Sequence, residues 1–340
     1  MSYSIFNRTD VVAEGWYWLL AAKELKRGQV RAVNILGHEL AVFRGKDGKV
    51  AALDAYCPHM GAHLAEGRVE GNQLRCFFHN WRFDAAGQCT DIPCLANKLQ
   101  KRVQTRAWVL EERNGLIWIW LGSEAPVCTA PEAPELAGAD YEYSLGNRFI
   151  KHCHPNVVMV NAIDEQHFHT VHRLPGSILS MQPQPRDARN IEFHNTGTVP
   201  RERFIGRCIA RFYKHALTYN LSYWFGSAGT VTLGPDFLHL YLMFALRLTP
   251  DGRTEGRTVV FTRRRKGLFG WLFNRVVLSL TKIAGYYFAV GDTRIFQTIR
   301  FNLKTPIAAD RAVLAFIHHL EQQTPYALNQ AVPAGARKAA

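Results

Sequence analysis

The chain has 340 residues, 47% of them hydrophobic, and a formal net charge of +13. That length and apolar content allow two domains with sizeable cores. Seven cysteines, odd in number and without framework spacing, argue against a secreted disulfide scaffold and for a reducing compartment.

The start, MSYSIFNRTDVVAEG, lacks the charged-then-apolar layout of a leader, so a cytoplasmic protein is expected. A basic chain first suggests nucleic acid. Here the basic residues are dispersed apart from Arg263, Arg264, Arg265 and Lys266, and no nucleic-acid motif accompanies them. Acidic redox partners or an anionic membrane surface account for the charge at least as well.

Residues 15–55 read as short strands, GWYWLLAAKEL, QVRAVNILG, HELAVFRG and KVAALDAYC, separated by turns at Gly37 and at Lys46–Gly48. They lead into Cys57. From there the spacing is C-x-H, sixteen residues, then C-x-x-H, carried by Cys57, His59, Cys76 and His79. Two thiolates and two imidazoles can hold a [2Fe–2S] cluster, cysteines on one iron and histidines on the other. Because imidazole is neutral, such a cluster has a higher reduction potential than an all-cysteine one. A Cys2His2 zinc site is the alternative, although C-x-H is an unusual half-site for zinc. His63 fits neither half and reads as a polar loop residue.

After the second pair, WRFDAAGQCTDIP reads as a hairpin turning at Ala85–Gly87. Residues 103–122 form another around Asn114–Gly115. A Pro-containing connection near 123–140 divides the chain, giving expected domains at 1–125 and 126–330, with a disordered tail at 331–340. In NVVMVNAIDEQHFHTVH (156–172) the apolar residues recur at helical spacing, and Asn161, Asp164 and His167 fall three apart on one face. His172 comes five residues after His167, so both can reach one metal only if the helix bends or ends between them. Residues 190–262 read as successive strands, among them FIGRCIARFYKHA, LTYNLSYWFG and DFLHLYLMFALRLTP. Residues 267–291 read as a long apolar helix interrupted by Arg275 and Lys282, too charged to span a membrane. The expectation is a helix over the sheet with a basic outer face; peripheral contact with an anionic membrane is the alternative.

The 57–79 stretch resembles a Rieske iron–sulfur domain, with Pro58, Gly61, Trp81 and Phe83 matching as well; Asn80 departs from the pattern, standing where glycine is expected. The order Rieske motif, then N-x2-D-x2-H-x4-H, resembles the Rieske non-heme iron oxygenases over residues 10–300. The resemblance implies an α+β chain: an N-terminal antiparallel β Rieske domain and a C-terminal helix-grip (START-like) catalytic domain. It implies a mononuclear Fe(II) held by His167, His172 and a late carboxylate. Among the later acidic residues, Asp292, with Gln297 nearby, best matches the family's context; an ordinary N-cap is its alternative role. It further implies that Asp164 bridges a cluster histidine of one subunit to an iron ligand of the next, that Asn161 lies near the iron, and that the subunits form a head-to-tail trimer. Electrons then come from a separate ferredoxin or flavin reductase drawing on NAD(P)H, with O2 as co-substrate. The first ligand loop, CPHMGAHL, is similar to that of sterol-ring oxidising members, so a steroid-like or polycyclic substrate is expected. A small aromatic acid or ether is the alternative substrate, with Arg207 and Arg211 as candidate contacts. Phe204, Phe212, Tyr223, Trp224, Tyr241 and Phe244 are candidate cavity residues. A non-catalytic Rieske electron carrier is the reading from a different class.

Overall fold

The computed structural model describes residues 3–95, 103–172, 181–197, 207, 217–234 and 238–328. The chain forms two compact units, Gly15–Ala130 and a discontinuous one built from Met1–Glu14 together with Pro131–Ala327. The sequence reading had placed the first fourteen residues in the other domain.

The Gly15–Ala130 unit is antiparallel β throughout. One sheet runs in the order Ala107–Trp108, Val50–Asp54, His38–Arg44, Val30–Ile35. A second joins Leu110–Arg113, Leu116–Leu121 and Gly15–Ala21. Its hairpin turns at Asn114–Gly115, both with positive φ (55° and 73°) and with Arg113 opposite Leu116. Only Gly and Asn enter that region at low cost, which is why the dipeptide marked the turn. A third, small sheet (Arg68–Glu70, Gln73–Arg75, Arg82–Phe83, Cys89–Asp91) carries the second ligand pair. The Asp84 carboxylate accepts from the backbone N–H groups of Ala86 and Gln88, which fixes the expected turn at residues 85–87. Phe43, Leu53, Leu64, Leu74 and Phe83 form the core beneath both ligand loops.

The other unit is a seven-stranded antiparallel sheet in the order Tyr141–Lys151, Thr254–Arg263, Leu240–Leu248, Ala228–Gly234, Leu217–Trp224, Asn190–Gly197, Met181–Pro185. Helices α1 (Pro155–Asn161) and α2 (Glu165–Thr170) follow its first strand. Helix α3 (Gly267–Gly291) lies against the first three strands in that order, α4 (Thr293–Thr298) follows it directly, and α5 (Arg311–Glu321) covers the far edge. The N-terminal segment is tied down here. Backbone N–H groups of Ser4, Ile5 and Phe6 donate to the Glu321 carboxylate at 2.6, 2.9 and 2.6 Å. Strand Val11–Ala13 then pairs with Pro325–Ala327.

Two expectations are corrected here. Residues 156–172 are two helices, not one, because the Asp164 side chain accepts from the N–H groups of Gln166 and His167 and starts a new helix. The basic-outside reading of helix α3 holds for Arg275, which is exposed over the Trp271 ring, but not for Lys282. Its sheet side buries Asn274, Val277, Leu278 and Thr281, and Lys282 Nζ reaches inward to Ser144 Oγ at 2.8 Å. Its outer side is mostly apolar, with Arg275 and Ser279 among the exposed residues. The strand assigned to FIGRCIARFYKHA, the candidates Phe204, Arg211 and Phe212, and the tail 331–340 lie outside the described residues.

Candidate metal centres

In the β unit, Cys57 leaves the sheet one residue after Tyr56, and its loop is closed by Cys57 N–H to Ala62 O and Gly61 N–H to Cys57 O, both 2.9 Å. Gly61 takes φ +73°, and Asn80 takes +60° in the matching place of the second loop. This explains the departure noted in the sequence: the position demands a left-handed backbone, and asparagine is the side-chain-bearing residue that best tolerates it. The two loops bring His59 and His79 together with Nδ1 atoms 3.1 Å apart. The His59 ring stacks flat on Trp81, 4.3 Å between centroids. Cys57 and Cys76 are buried and free of disulfides. Burial pushes the Cys57 thiol up to about 11, with Cys76 beside it adding to the rise. The two imidazoles meet at their Nδ1 atoms and Cys76 lies beside Cys57, and two thiols with two imidazoles are the donor types that fit a cluster with two histidines on one iron. His63 is occupied elsewhere, accepting from Ala65 N–H at 3.2 Å, as its polar-loop reading requires.

In the other unit, His154 caps α1: its Nδ1 accepts from Asn156 N–H while its Nε2–H donates to Arg8 O at 2.8 Å. Both bonds need the neutral imidazole, and burial lowers its pKa to about 4. Helix α1 ends at Asn161, and α2 projects His167 from its first turns before ending at Thr170. That second ending lets His172 turn back. His167 Nε2 lies 2.7 Å and His172 Nε2 3.0 Å from the same Asp292 oxygen, Oδ1. The three donor atoms fall within 4.8 Å of one another. Asp292 sits at the junction of α3 and α4 without capping either through its side chain, so its carboxylate is left for the histidines. His167 Nδ1 is buried without a hydrogen-bond partner among the described residues. Two imidazoles and one carboxylate converging on one point fit a facial-triad metal.

The other described carboxylates considered from the sequence are engaged elsewhere. Glu192 pairs with Arg186 and His194, Glu255 with Arg148 and Arg247, and Asp251 with Arg253. Asp187 and Asp310 accept from nearby backbone N–H groups. Glu202 and Asp236 lie outside the described residues. Asn161 Nδ2 is 3.4 Å from His167 Nε2, at the edge of the site. Gln297 and Arg207 are exposed.

Several supporting residues carried no motif. Phe288 meets the His172 ring edge-on at 5.0 Å, and Phe168 packs on Tyr219 at 5.2 Å. Tyr219 and Tyr223 donate their hydroxyls to the carbonyls of Ala162 and Met159, holding the end of α1. Lys151 Nζ donates to Ala289 O at 3.1 Å, in the last turn of α3. Burial lowers the His172 pKa, partly offset by Asp292. Of the candidate cavity residues, Tyr223 is core, packed on Phe193, Phe244 and Phe316.

Residues 15–108 match the family model for the Rieske [2Fe-2S] domain. That segment is a Rieske [2Fe-2S] domain. The chain is 40% identical to cholesterol 7-desaturase of Bombyx mori, over 46% of its own length and 35% of that protein. It is 34% identical to a 3-ketosteroid-9-alpha-monooxygenase oxygenase component of Rhodococcus rhodochrous, over 47% of its length and 42% of that protein. It thus spans well under half the length of the curated relatives it matches. Its fold is shared by solved structures. NdmB of Pseudomonas putida CBB5 superposes with TM-score 0.67 at 16% identity, covering 90% of this chain and 89% of that one. Dicamba monooxygenase with non-heme iron and dicamba superposes with TM-score 0.59 at 21% identity, covering 91% and 96%.

Proposed function

We propose that the chain is an O2-dependent oxygenase component that hydroxylates or oxidatively demethylates a lipophilic substrate, steroid-like or polycyclic. The observation that carries the reading is the convergence of His167, His172 and Asp292 in a chain that also holds a Rieske domain. A lone electron carrier needs no second set of metal donors. The names of the relatives, cholesterol and 3-ketosteroid enzymes, support the substrate class.

Fe(II) at such a triad supplies open coordination positions for O2 beside a substrate. The chain's own residues do the positioning. Asp292 brings one negative charge between the two Nε2 atoms. Asp164 starts the short helix that aims His167. Phe288 and Phe168 flank the histidine rings with apolar surface, which keeps the local dielectric low. Asn161 offers an amide N–H at the rim.

Within this reading, the Asp164 carboxylate of one subunit links His59 or His79 of the next to His167 in a trimer. A carboxylate between two imidazoles also fixes their tautomers. Electrons arrive from a separate ferredoxin or flavin reductase supplied by NAD(P)H, and the +13 charge favours an acidic donor.

Iron and labile sulfide content tests the reading. The oxygenase reading requires three irons per two sulfides, falling to two per two in Asp292→Asn with the Rieske absorbance unchanged. Two irons per two sulfides in the unmodified protein after iron loading would establish the carrier instead. Product formation with small aromatic acids but none with sterols would replace the substrate class.

A further inference from the structure

Helix α3 presents to the outside an apolar strip, interrupted by Arg275, that nothing among the described residues covers. Leu268 (76% exposed), Phe269 (87%), Leu272 (54%), Ile283 (64%), Tyr286 (71%) and Tyr287 (70%) lie along it. The helix has 25 residues, about 37 Å at 1.5 Å per residue. A strip of that length exceeds what soluble monomers ordinarily leave bare. Among the described residues, no helix is long and apolar enough to cross a membrane.

The surrounding charge says what covers the strip. Exposed Arg263, Arg264, Arg265 and Lys266 precede the helix, Arg264 being paired with Asp140 at 3.1 Å, and exposed Arg294 and Arg300 follow it. From Arg263 to Ala309 the one acidic residue is Asp292, which is buried and turned to the histidines. Two copies of the chain laid face to face would bring basic ends against basic ends whether the helices ran parallel or antiparallel. An anionic surface meets no such repulsion. Aromatic side chains near both ends, Phe269 and Trp271 at one and Tyr286 and Tyr287 at the other, are of the type that settles at the headgroup level.

We propose that α3 lies flat in the headgroup region of an anionic lipid bilayer, with its apolar strip in the acyl boundary and the flanking arginines and Lys266 on the lipid phosphates. This is the geometry of an interfacial amphipathic helix. The proposal stands apart from the oxygenase reading, because lipid binding is scored without turnover.

Flotation of the full chain with vesicles tests it. The chain binds vesicles of mixed phosphatidylcholine and phosphatidylglycerol, more weakly as salt rises, and binds phosphatidylcholine alone poorly. Leu272→Glu with Ile283→Glu lowers binding by at least about tenfold. Arg263→Gln with Lys266→Gln lowers binding to the anionic vesicles by roughly twenty-five-fold, at about fivefold per charge. Both pairs are exposed, and unchanged far-UV circular dichroism and Rieske absorbance verify folding. The proposal is overturned if the unmodified chain fails to float with anionic vesicles, or if neither variant pair weakens its binding. An oligomer that ignores vesicles and dissociates in the Leu272→Glu, Ile283→Glu variant would also overturn it, making the strip a protein interface.

Discussion

Gly291 is the residue just before Asp292, and it separates fold stability from metal binding. A Cβ added there would sit 3.1 Å from His172 Cε1 and 3.4 Å from His172 Nδ1, so the ring must give by a few tenths of an ångström. The ring has little freedom to do so, with Phe288 edge-on at 5.0 Å and Phe168 at 5.8 Å. Metal sites hold their ligand distances to about 0.2 Å, so this displacement falls outside their tolerance. The backbone pulls in the opposite direction. Gly291 is the last residue of α3, outside the positive-φ region, where alanine is favoured by up to about 1 kcal/mol. Gly291→Ala is therefore expected to leave the metal-free protein as stable as before, or up to about 1 kcal/mol more stable. Its Fe(II) affinity should fall about tenfold, in the range seen when the supports of a ligand are disturbed. Denaturant unfolding of the metal-free protein and chelator competition for Fe(II) read the two quantities separately. Unchanged affinity would refute the packing argument. Lower metal-free stability would mean that the backbone absorbs the clash instead of His172.

Two further outcomes follow from the capping and turn residues. His154 is held neutral, with a folded pKa of about 4 against about 6.5 for an unfolded histidine. Its contribution is therefore complete above the unfolded value and is lost as pH falls from about 6.5 towards 4, a loss of about 3 kcal/mol at 1.36 kcal/mol per pKa unit. His154→Asn, which keeps an N-cap acceptor, should flatten this part of the pH dependence in denaturant titrations at successive pH values; an identical profile would sink the assignment. At Asn80, with φ of +60°, substitution by valine should cost about 1–2 kcal/mol and loosen the second cluster loop, whereas glycine should be close to neutral. Thermal unfolding and Rieske absorbance would check both, and a valine variant as stable as the parent would contradict the strain argument.

The parts of the fold legible in the sequence were those fixed by local chemistry. Asn114–Gly115 gave its turn because few residues accept two successive positive φ values. Cys57, His59, Cys76 and His79 stand out as candidates because donor type and spacing are readable without knowledge of packing. Asp292 was legible as a candidate only through its context; what singles it out in space is that its neighbours in type are paired with arginines or backbone N–H groups. What failed depended on choices between similar local signals. Asp164 was placed on a helix face by counting residues, yet a carboxylate can also begin a helix, and here it does. The orientation of α3 was read from the usual rule that apolar faces turn inward. The buried side holds Val277 and Leu278 but also Asn274 and Thr281 with their own partners, which leaves much of the helix's apolar surface facing outward. The role of residues 1–14 had no sequence signal at all, since it rests on Glu321 more than three hundred positions away.

That last attachment has a practical side. Because strand Val11–Ala13 and the segment before it belong to the unit that holds His167, His172 and Asp292, the polypeptide enters that unit, leaves it at Gly15 and returns at Pro131. A protease nick in the connection near residues 123–130 therefore cuts only one of the two covalent routes between the metal-binding halves. Across such a cut, Val11–Ala13 keeps its pairing partner Pro325–Ala327 and the first residues keep Glu321. A recombinant fragment beginning at Gly15 retains the whole β unit. A fragment beginning at Pro131 has lost an edge strand and the partners of Glu321, so it must be fused to residues 1–14 to recover them.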